Sequence, residues 1–389
     1  MTLQYRRFGK LDWKVSALGF GAMRLPTTDR DPAHVDEPEA IRMIRYAIDH
    51  GVNYLDSAYL YHMGNSERVV GKALKDGYRQ RMRLATKIPH RSCETAADFD
   101  RILNEQLGKL QTDKIDFYLL HGLNAQGWPK MRDLGIIPWA EKQMAAGKIG
   151  HLCFSFHDKY DVLKSIIDAY DNWTFCQVQY NFMDIENQAG RKGVEYAASK
   201  GLGVVVMEPI RGGLIAKQPP EVVEKIWATA KRDWSRAEYA LQWVWDQPEV
   251  SVALSGMSNM QQVVENVASA GRSGPGTLNG DDLKLIDQVR QAYRSLTPIP
   301  CTQCGYCQPC PNGVLIPNIF QIYNESTMYN DPAMGKFRYQ GPMGPKPEEK
   351  ADRCMECGEC EAACPQNVTV IDWLKKAHET LSAPGQPPR

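Results

Sequence analysis

The sequence predicts an α/β protein in which a (β/α)8 TIM barrel precedes a small C-terminal domain. Two observations indicate this fold. Between residues 16 and 270, short β-branched or apolar runs alternate with longer amphipathic stretches, as expected of repeated βα units. Further along, eight of the eleven cysteines fall in two short runs, CTQCGYCQPCP at 301–311 and CMECGECEAACP at 354–365. We therefore expect the barrel within residues 1–295 and the cysteine-rich domain within residues 296–389.

The repeated βα units number eight. Their predicted strands occupy residues 16–20, 52–56, 82–86, 115–120, 149–155, 175–179, 203–207 and 250–255. Amphipathic helices are expected at 37–50, 96–110 and 258–269. Eight such units favour a closed barrel. The alternative is a doubly wound open sheet, which would carry a GxGxxG sequence after an early strand, and the chain has none there.

Two further local signals complete the predicted barrel. Glycine commonly ends the helix before a strand, as at Gly51, Gly147 and Gly201, because the residue after the helix often takes the left-handed backbone conformation. The segments QYRRFG and KVSALGFG, at 4–9 and 14–21, predict a hairpin before the first βα unit. We expect this hairpin to close the bottom of the barrel.

The charge balance excludes several classes of partner. Lysine plus arginine and aspartate plus glutamate number 46 each, so no overall field attracts nucleic acid or an anionic membrane. Nowhere do eighteen apolar residues run together, and no secretory signal is apparent at the N-terminus. We expect a soluble cytoplasmic protein with neither a nucleic-acid nor a membrane partner.

The spacing of the clustered cysteines is typical of iron–sulfur ligands. A CxxCxxC turn supplies three thiolates to one cubane, and in two-cluster ferredoxins the last cysteine of each run, followed by proline, serves the other run's cluster. We therefore predict two [4Fe–4S] clusters in a ferredoxin-like domain. The first cluster is assigned to Cys301, Cys304, Cys307 and Cys364, and the second cluster to Cys310, Cys354, Cys357 and Cys360. The first run departs from the usual bacterial pattern, because two residues and not three separate Cys307 from Cys310.

Zinc and disulfides are the alternatives for these cysteines. Zinc sites usually take two CxxC pairs separated by a longer loop, unlike the unbroken steps found here. Disulfides are rare in a reducing cytosol. The three remaining cysteines, Cys93, Cys153 and Cys176, stand alone in apolar or helical surroundings, and we expect them to be small buried hydrophobic residues.

Polar side chains lie at the ends of three neighbouring predicted strands. Asp56 ends the second strand, Lys87 follows the third and His121 follows the fourth, while Tyr61 lies five residues beyond Asp56. In a barrel of this kind, catalytic groups sit where strands end and loops begin. We expect these four side chains to converge on one spot.

The segments that carry these residues resemble a known family. NYLDSAYLYHMGNSE, LATKIP and FYLLHG are similar, in order and spacing, to the motifs of aldo-keto reductases, and the resemblance covers roughly residues 3–270. It implies a catalytic tetrad of Asp56, Tyr61, Lys87 and His121 that acts on a small carbonyl or alcohol with NADP or NAD. The EPIRGG run, together with the cysteine-rich tail, resembles a bacterial and archaeal branch whose barrel is fused to a ferredoxin-like domain.

The resemblance also implies a role for each member of the tetrad. Tyr61 is the proposed general acid, because a carbonyl oxygen that gains negative charge needs a proton donor. The ammonium of Lys87 is expected to lower the pKa of Tyr61, and Asp56 is expected to pair with Lys87. His121 would orient the carbonyl group by hydrogen bonding.

Cofactor contacts follow from the same resemblance. Ser155 and Gln177 would hold the nicotinamide amide, Met207 would lie against its ring, and Glu208, Pro209 and Ile210 would line the cofactor tunnel. Ser255, Gly256, Met257 and Ser258 would lie near the ribose 2′ position, with Glu265 and Asn266 at the adenine. Gly256 and Gln262 stand where NADP-preferring members carry basic residues, so the choice between NAD and NADP stays open. Arg24, after the first strand, and Arg211, after the seventh, are candidates for the barrel mouth, where two guanidinium groups would suit a carboxylate- or phosphate-bearing carbonyl compound. The alternatives are that Arg211 lies along the cofactor pyrophosphate or that both side chains are solvated.

The role of the clusters has several interpretations. A nicotinamide transfers two electrons as hydride, whereas a [4Fe–4S] cluster passes one electron at a time. Three roles follow for the clusters. They would relay electrons to or from a partner such as ferredoxin, carry out one-electron chemistry on the substrate directly, or stabilise a small C-terminal domain that lacks its own core. Flavins bind TIM barrels without a short motif, so a flavin- or ferredoxin-dependent reductase stays an alternative. A second alternative function is an electron carrier whose barrel serves only as a docking scaffold.

The segment between the cysteine runs predicts little regular structure. The linker at 313–353 is GVLIPNIFQIYNESTMYNDPAMGKFRYQGPMGPKPEEKADR, and it begins as a short helix. It then becomes rich in proline and glycine, and we expect that part to be a loop.

Overall fold

The computed structural model describes residues 3–29, 31–342 and 344–383. By compactness the chain divides into two units. The barrel unit holds the residues up to Ala216 together with Trp234–Asp281, and the C-terminal unit holds Lys217–Asp233 together with the residues from Asp282 onward. Two segments that the sequence assigns to the barrel domain, 217–233 and 282–295, thus group with the C-terminal unit. The functional boundary at residue 295 stays a prediction.

The described residues contain ten strands. They are β1 (Tyr5–Phe8), β2 (Leu11–Ser16), β3 (Leu18–Gly21), β4 (Tyr54–Asp56), β5 (Arg83–Pro89), β6 (Ile115–Leu123), β7 (Ile149–Phe156), β8 (Phe175–Gln179), β9 (Gly203–Met207) and β10 (Val252–Ser255). Strands β3 to β10 form one closed barrel in the order β10-β3-β4-β5-β6-β7-β8-β9, with every neighbouring pair parallel. This confirms the predicted TIM barrel, because a closed parallel sheet leaves no open edge.

Helices follow most of the barrel strands and make up much of the C-terminal unit. They are α1 (Glu37–Asp49), α2 (Ser66–Ala73), α3 (Ala97–Leu110), α4 (Gly127–Asp133), α5 (Ile136–Ala145), α6 (Tyr160–Asp168), α7 (Gly190–Ser199), α8 (Glu221–Trp227), α9 (Arg236–Trp245), α10 (Met260–Ala270), α11 (Gly280–Ser295), α12 (Ile316–Met328), α13 (Pro332–Gln340), α14 (Glu359–Ala362) and α15 (Val370–Ser382). Helix α1 shows why such segments form. Asp36 caps it by accepting from the backbone N–H of Glu39, and Ala40, Met43 and Ala47 repeat on its buried face.

Strands β5 and β6 extend well beyond their predicted ends at residues 86 and 120. Strand β5 continues to Pro89 and β6 continues to Leu123, so Lys87 and His121 lie within strands and not after them. Pro89 pairs with His121 in register. Side chains on paired strands have fixed spacing, and the two residues are therefore held by the barrel wall.

A hairpin closes the bottom of the barrel, but its second strand is Leu11–Ser16 and not the predicted 14–21, because Leu18–Gly21 form the barrel strand β3. Strands β1 and β2 pair antiparallel, and the fully buried Phe8 packs on Tyr54, Phe117 and Phe175 with ring centroids 5.0–6.1 Å apart. Gly9 has a positive φ of 57°, and a Cβ there would lie 2.6 Å from the backbone nitrogen of Gly203, the first residue of β9. Only glycine allows this close approach.

The C-terminal unit has its own apolar core. Helices α12 and α15 contribute most of it, including Ile319, Phe320 and Leu374, and the cysteine-bearing loops pack against it. Helix α12 confirms the helix expected in this region. The loop prediction for the residues that follow is wrong, because Pro332–Gln340 form helix α13.

Helix α13 has a clear local cause. Asp331 caps it by accepting from the backbone N–H of Met334, and Pro332 occupies its first turn, where proline is tolerated. Gly335 lies where α13 meets α12, and a Cβ there would come within 2.6 Å of Ser326. Glycine and proline therefore serve helix start and helix packing here, and not a loop.

No helix among the described residues combines the length and the apolar composition needed to cross a membrane.

Cys93, Cys153 and Cys176 are buried, which confirms their predicted role as small core residues.

Candidate functional site

Asp56 and Lys87 form a buried ion pair at the upper rim of the barrel. Their side chains are 1% and 0% exposed, and the Lys87 ammonium donates to Oδ1 of Asp56. Lys87 Nζ also donates to the carbonyl oxygen of Ser57 at 2.8 Å and to Oη of Tyr61 at 3.3 Å. The carboxylate, the ammonium and the phenol thus form a continuous chain of contacts.

Neighbouring strands hold Asp56 in place. Nε2 of Gln177 on β8 donates to Oδ2 of Asp56 at 2.9 Å, and Oη of Tyr54 lies 3.4 Å from the same oxygen. Every hydrogen bond to a buried carboxylate reduces the penalty of keeping it charged. The ion pair is therefore anchored from strands β4, β5 and β8.

His121 lies across from Tyr61. The two rings meet edge to face, with centroids 5.7 Å apart and an interplanar angle of 83°. Burial lowers the pKa of His121 to about 3, and the charge of Lys87 acts in the same direction. The imidazole is therefore neutral near pH 7, so that one ring nitrogen carries a proton for donation.

The ionisation of Tyr61 differs from the prediction. Burial raises the pKa of Tyr61 above its usual value, and the opposing charge of Lys87 does not overcome this effect. The predicted net lowering of this pKa by Lys87 is thus wrong. Burial alone would lower the pKa of Lys87, but the charge of Asp56 and the hydrogen bonds to Asp56 and Tyr61 outweigh it, and the pKa is raised. The site holds a protonated phenol beside an ammonium.

A buried polar network behind Lys87 was not predicted. Nε2 of Gln106 donates to the Lys87 carbonyl at 3.0 Å and to Oε1 of Glu67 at 2.7 Å. Thr86 donates to the same Glu67 oxygen at 2.6 Å, and Tyr118 donates to Oε1 of Gln106 at 2.7 Å. A signal was present, because Gln106 stands on the apolar face of α3 and Glu67 closes the NYLDSAYLYHMGNSE segment.

His62, next to Tyr61, was also missed. Its φ of 52° lies in the left-handed region, which is uncommon outside glycine. Its Nε2 accepts from the backbone N–H of Leu25 at 3.1 Å, so its Nδ1 donates to the carbonyl of Pro32 at 2.8 Å. These bonds tie the loop that carries Tyr61 to the loop after β3. Sequence patterns do not report such pairings.

The predicted nicotinamide contacts lie on neighbouring strands. Ser155 on β7 pairs in register with Gln177 on β8, and both are buried. Ser155 Oγ accepts from the backbone N–H of Gly122 at 2.8 Å. Within the described part of the chain, Oε1 of Gln177 is buried and has no hydrogen-bond partner. A buried acceptor without a donor is costly, and a carboxamide N–H would satisfy it, so these residues fit a nicotinamide.

The residues assigned to the rest of the cofactor lie at the ends of β9 and β10, in the loops that follow these strands, and in helix α10. Met207 ends β9, and Glu208, Pro209 and Ile210 follow it, while Gly256, Met257 and Ser258 connect β10 to α10. Asn266 donates to Oγ of Ser255 at 3.1 Å. Gln262 accepts from the backbone N–H of Ser258 at 2.8 Å, and Glu265 accepts from Gln261 at 2.8 Å.

The two candidate arginines have different environments. Arg211 Nε donates to Oδ2 of Asp184 at 2.7 Å, and both side chains are only 12% exposed. Its charge is therefore balanced within the protein, unlike the open guanidinium expected at the barrel mouth. Arg24 is exposed. Its methylene groups lie beside Gly256, and its Nη2 would lie 3.2 Å from a Cβ atom added to Gly212. Arg24 thus reaches both the loop after β9 and the loop after β10.

In the C-terminal unit, four cysteines line one pocket. These are Cys301, Cys304, Cys307 and Cys364, the residues assigned to the first cluster. Ile316, Phe320 and Val370 complete the wall. Among the described residues, no three metal-binding side chains converge as they would on a single ion. Thiolates spread around an apolar pocket fit a polynuclear iron–sulfur cluster.

The second run of cysteines also groups together. Burial raises the pKa of Cys360 to about 11, with further contributions from the nearby Cys354 and Cys357. Cys310, the fourth predicted ligand, packs on the same apolar core as Cys354 and Cys360.

Comparisons with known proteins identify the family of each part of the chain. Residues 17–290 match the aldo/keto reductase family, and residues 300–369 match the 4Fe-4S dicluster domain. The chain is 26% identical over 318 residues to L-galactose dehydrogenase of Arabidopsis thaliana, covering 76% of this chain and 97% of that protein. It is 24% identical over 294 residues to 6-dehydroglucose reductase of Novosphingobium aromaticivorans, covering 67% and 88%.

Solved structures show the same barrel. The holo form of an aldo-keto reductase from Bacillus halodurans aligns with a TM-score of 0.61 and 29% identity, over 74% of this chain and 96% of that one. An aldo-keto reductase from Klebsiella pneumoniae in complex with NADPH aligns with a TM-score of 0.58 and 25% identity, over 75% and 96%. The chain therefore belongs to the aldo/keto reductase family and is an oxidoreductase whose barrel is followed by a 4Fe-4S dicluster domain.

Proposed function

We propose that the chain interconverts a carbonyl compound and its alcohol with NADPH or NADH, and that Tyr61 is the general acid and base. One observation carries this proposal: Oη of Tyr61 lies 3.3 Å from the ammonium of Lys87, which is itself paired with the buried Asp56. A phenol in that position loses its proton toward the barrel mouth while the ammonium stabilises the phenolate that remains.

Each member of the tetrad has a separate task. In the reductive direction, Tyr61 gives its proton to the carbonyl oxygen as that oxygen gains negative charge. Neutral His121 donates a hydrogen bond that orients the carbonyl. Asp56 keeps Lys87 charged and in place. The raised pKa of Tyr61 supports the acid role, because the phenol stays protonated near pH 7.

The cofactor would be held by three groups of residues. Ser155 and Gln177 would bind the carboxamide, and a bound nicotinamide would supply the hydride. Arg24 would pair the pyrophosphate, because it reaches both rim loops. Gly256 and Gln262 carry no charge for a 2′-phosphate, so we expect both NADPH and NADH to bind.

A titration tests this proposal. The anaerobically purified protein is mixed with NADPH and, separately, with NADH, and binding is followed by nucleotide fluorescence. Turnover is then measured with a panel of aldehydes, ketones and sugars, beginning with 6-dehydroglucose and the reduced nucleotides and with L-galactose and the oxidised nucleotides, because one relative is named a reductase of the first and another a dehydrogenase of the second. Binding of neither nucleotide would contradict the proposal.

The C-terminal unit would hold two [4Fe–4S] clusters for one-electron transfer or stability, with a redox protein such as ferredoxin as a partner. The pocket lined by Cys301, Cys304, Cys307 and Cys364 supports the crossed ligand set. Because the unit has an apolar core of its own, electron transfer is the better explanation of the clusters.

Double substitutions test the crossed ligand set. If Cys301 and Cys364 bind one cluster, Cys301→Ala and Cys301→Ala/Cys364→Ala should each lower the iron content from about eight to about four per chain. Cys354→Ala/Cys364→Ala should lose both clusters. Iron analysis of anaerobic preparations measures this, with Cys153→Ala in the barrel as the control. The reverse result, with both clusters lost in Cys301→Ala/Cys364→Ala and one kept in Cys354→Ala/Cys364→Ala, would refute the crossing, and so would equal iron in the two double variants.

A pH-dependence of stability should trace to His121. Its pKa is about 3 in the folded protein and about 6.5 in an unfolded chain, so the unfolded state binds more protons between these values. Stability is therefore full above about pH 6.5 and falls toward about pH 3, by up to about 1.4 kcal/mol per pH unit.

Urea unfolding of the protein and of His121→Gln at about pH 7 and about pH 5 checks this expectation. The variant should lose less stability than the parent as the pH falls. His50→Gln, at an exposed position, is the control and should behave like the parent. An unchanged pH-dependence in His121→Gln would show that the imidazole is not buried neutral.

A further inference from the structure

The two cysteine runs repeat one backbone conformation. Each begins C-x-x-C-G-x-C, so that Gln303 corresponds to Glu356 and Gly305 corresponds to Gly358. The φ angles agree, at 60° for Gln303 and 58° for Glu356, and at 79° for both glycines. Over the C-x-x-C-G segment the two backbones therefore agree, and the side chains at the third position, Gln303 and Glu356, differ; further on, among the described residues of the two runs, only the second run forms a helix, α14.

The corresponding side chains differ in what they offer a cysteine. Nε2 of Gln303 donates to Sγ of Cys301 at 3.6 Å and to the carbonyl of Pro317 at 2.9 Å. Glu356 occupies the same backbone position, but a carboxylate has no proton to donate. Its Oε1 accepts instead from Lys375 Nζ at 2.9 Å, in a pair whose side chains are 54% and 58% exposed.

The charge nearby differs as well. Residues 301–316 and 365–371, which lie beside the first cluster, contain no charged side chain, and a charged group bonded to them there is Glu361, whose Oε1 accepts from the backbone N–H of Ile371 at 2.9 Å. Residues 352–361, which carry the second, contain four acidic side chains and one basic side chain. Lys375 offsets only part of this excess. The potential of an iron–sulfur cluster depends on net charge and on hydrogen bonds to its sulfurs.

We propose that the two clusters are unequal, with the higher reduction potential at Cys301, Cys304 and Cys307 and the lower at Cys354, Cys357 and Cys360. This inference rests on the proposed binding of two clusters. Reduction adds negative charge, which the N–H group of Gln303 stabilises and the carboxylate of Glu356 opposes. When the protein carries one added electron, that electron therefore resides on the first cluster.

An anaerobic redox titration of the full-length holoprotein, followed by electron paramagnetic resonance, tests this inequality. We expect two separate reduction waves. Gln303→Leu should shift only the higher wave to lower potential, and Gln303→Glu should shift it further. Glu356→Gln should shift only the lower wave to higher potential. Glu221→Gln makes the same change in net charge outside both cysteine runs and should shift neither wave.

The outcomes separate this inference from the proposed function. With about eight irons per chain, a single shared wave, or a Gln303 variant that shifts the lower wave, would overturn the inference alone. Iron for one cluster or none would overturn the proposed cluster binding and this inference with it. Because Glu356 lies in the other run, its variant tests the inference even where the Gln303 variants fail to assemble.

Discussion

Replacing Tyr61 by phenylalanine should lower the rate of carbonyl reduction by about 10²–10⁴-fold, the usual contribution of a general acid. The substitution removes one oxygen, which is the atom that lies 3.3 Å from Lys87 Nζ, and leaves the ring against His121. Nucleotide affinity and iron content should not change, because neither the predicted cofactor contacts nor the cysteines include this oxygen. Steady-state kinetics, nucleotide binding and iron analysis of one preparation measure all three.

Tyr59→Phe is the matched control for this prediction. Tyr59 lies two positions earlier in the same loop, and its hydroxyl contacts Glu105 at 2.5 Å. It makes the same chemical change without touching Lys87 through its hydroxyl, so its activity should stay within a few-fold of the parent. Comparable losses in the two variants would point to a loop disturbance and would count against the acid role of Tyr61.

Lys87→Met should destabilise the protein by about 3–5 kcal/mol in addition to abolishing activity. The side chain of Asp56 is 1% exposed, so removing the ammonium leaves a negative charge without its partner away from water. A desolvated charge is far more costly than a desolvated pair, because the pair neutralises itself. The change in the free energy of unfolding follows from urea denaturation of the parent and the variant.

Two further variants test whether a buried, unpaired charge causes the loss of stability. In Asp56→Asn/Lys87→Met no charge is left buried, and much of the lost stability should return although activity does not. Lys72→Met removes a lysine from an exposed pair with Glu37, whose side chains are 44% and 41% exposed, and should change stability by about 1 kcal/mol or less. A double variant no more stable than Lys87→Met would contradict buried charge as the cause.

Several features could be predicted because their causes are local. Strand and helix alternate visibly along the chain, and the barrel order follows from eight repeated units. The approach of Asp56, Lys87 and His121 to one another could be predicted because neighbouring parallel strands carry them near their carboxyl ends. The small unit was harder, because glycine and proline in α13 serve a helix start and a close packing contact that no local pattern reports.

The sequence by itself determined the barrel, the order of the tetrad residues and the grouping of the cysteines, because periodicity and spacing are properties of the covalent chain. Only the tertiary structure decided the charge states of the site. Whether Tyr61 has a raised or a lowered pKa depends on how much water its neighbours exclude, and burial outweighs Lys87. Whether Arg211 is open or paired depends on Asp184, which lies 27 residues away along the chain. Long-range packing sets both, since desolvation and Coulomb interactions depend on distances that only the folded chain defines.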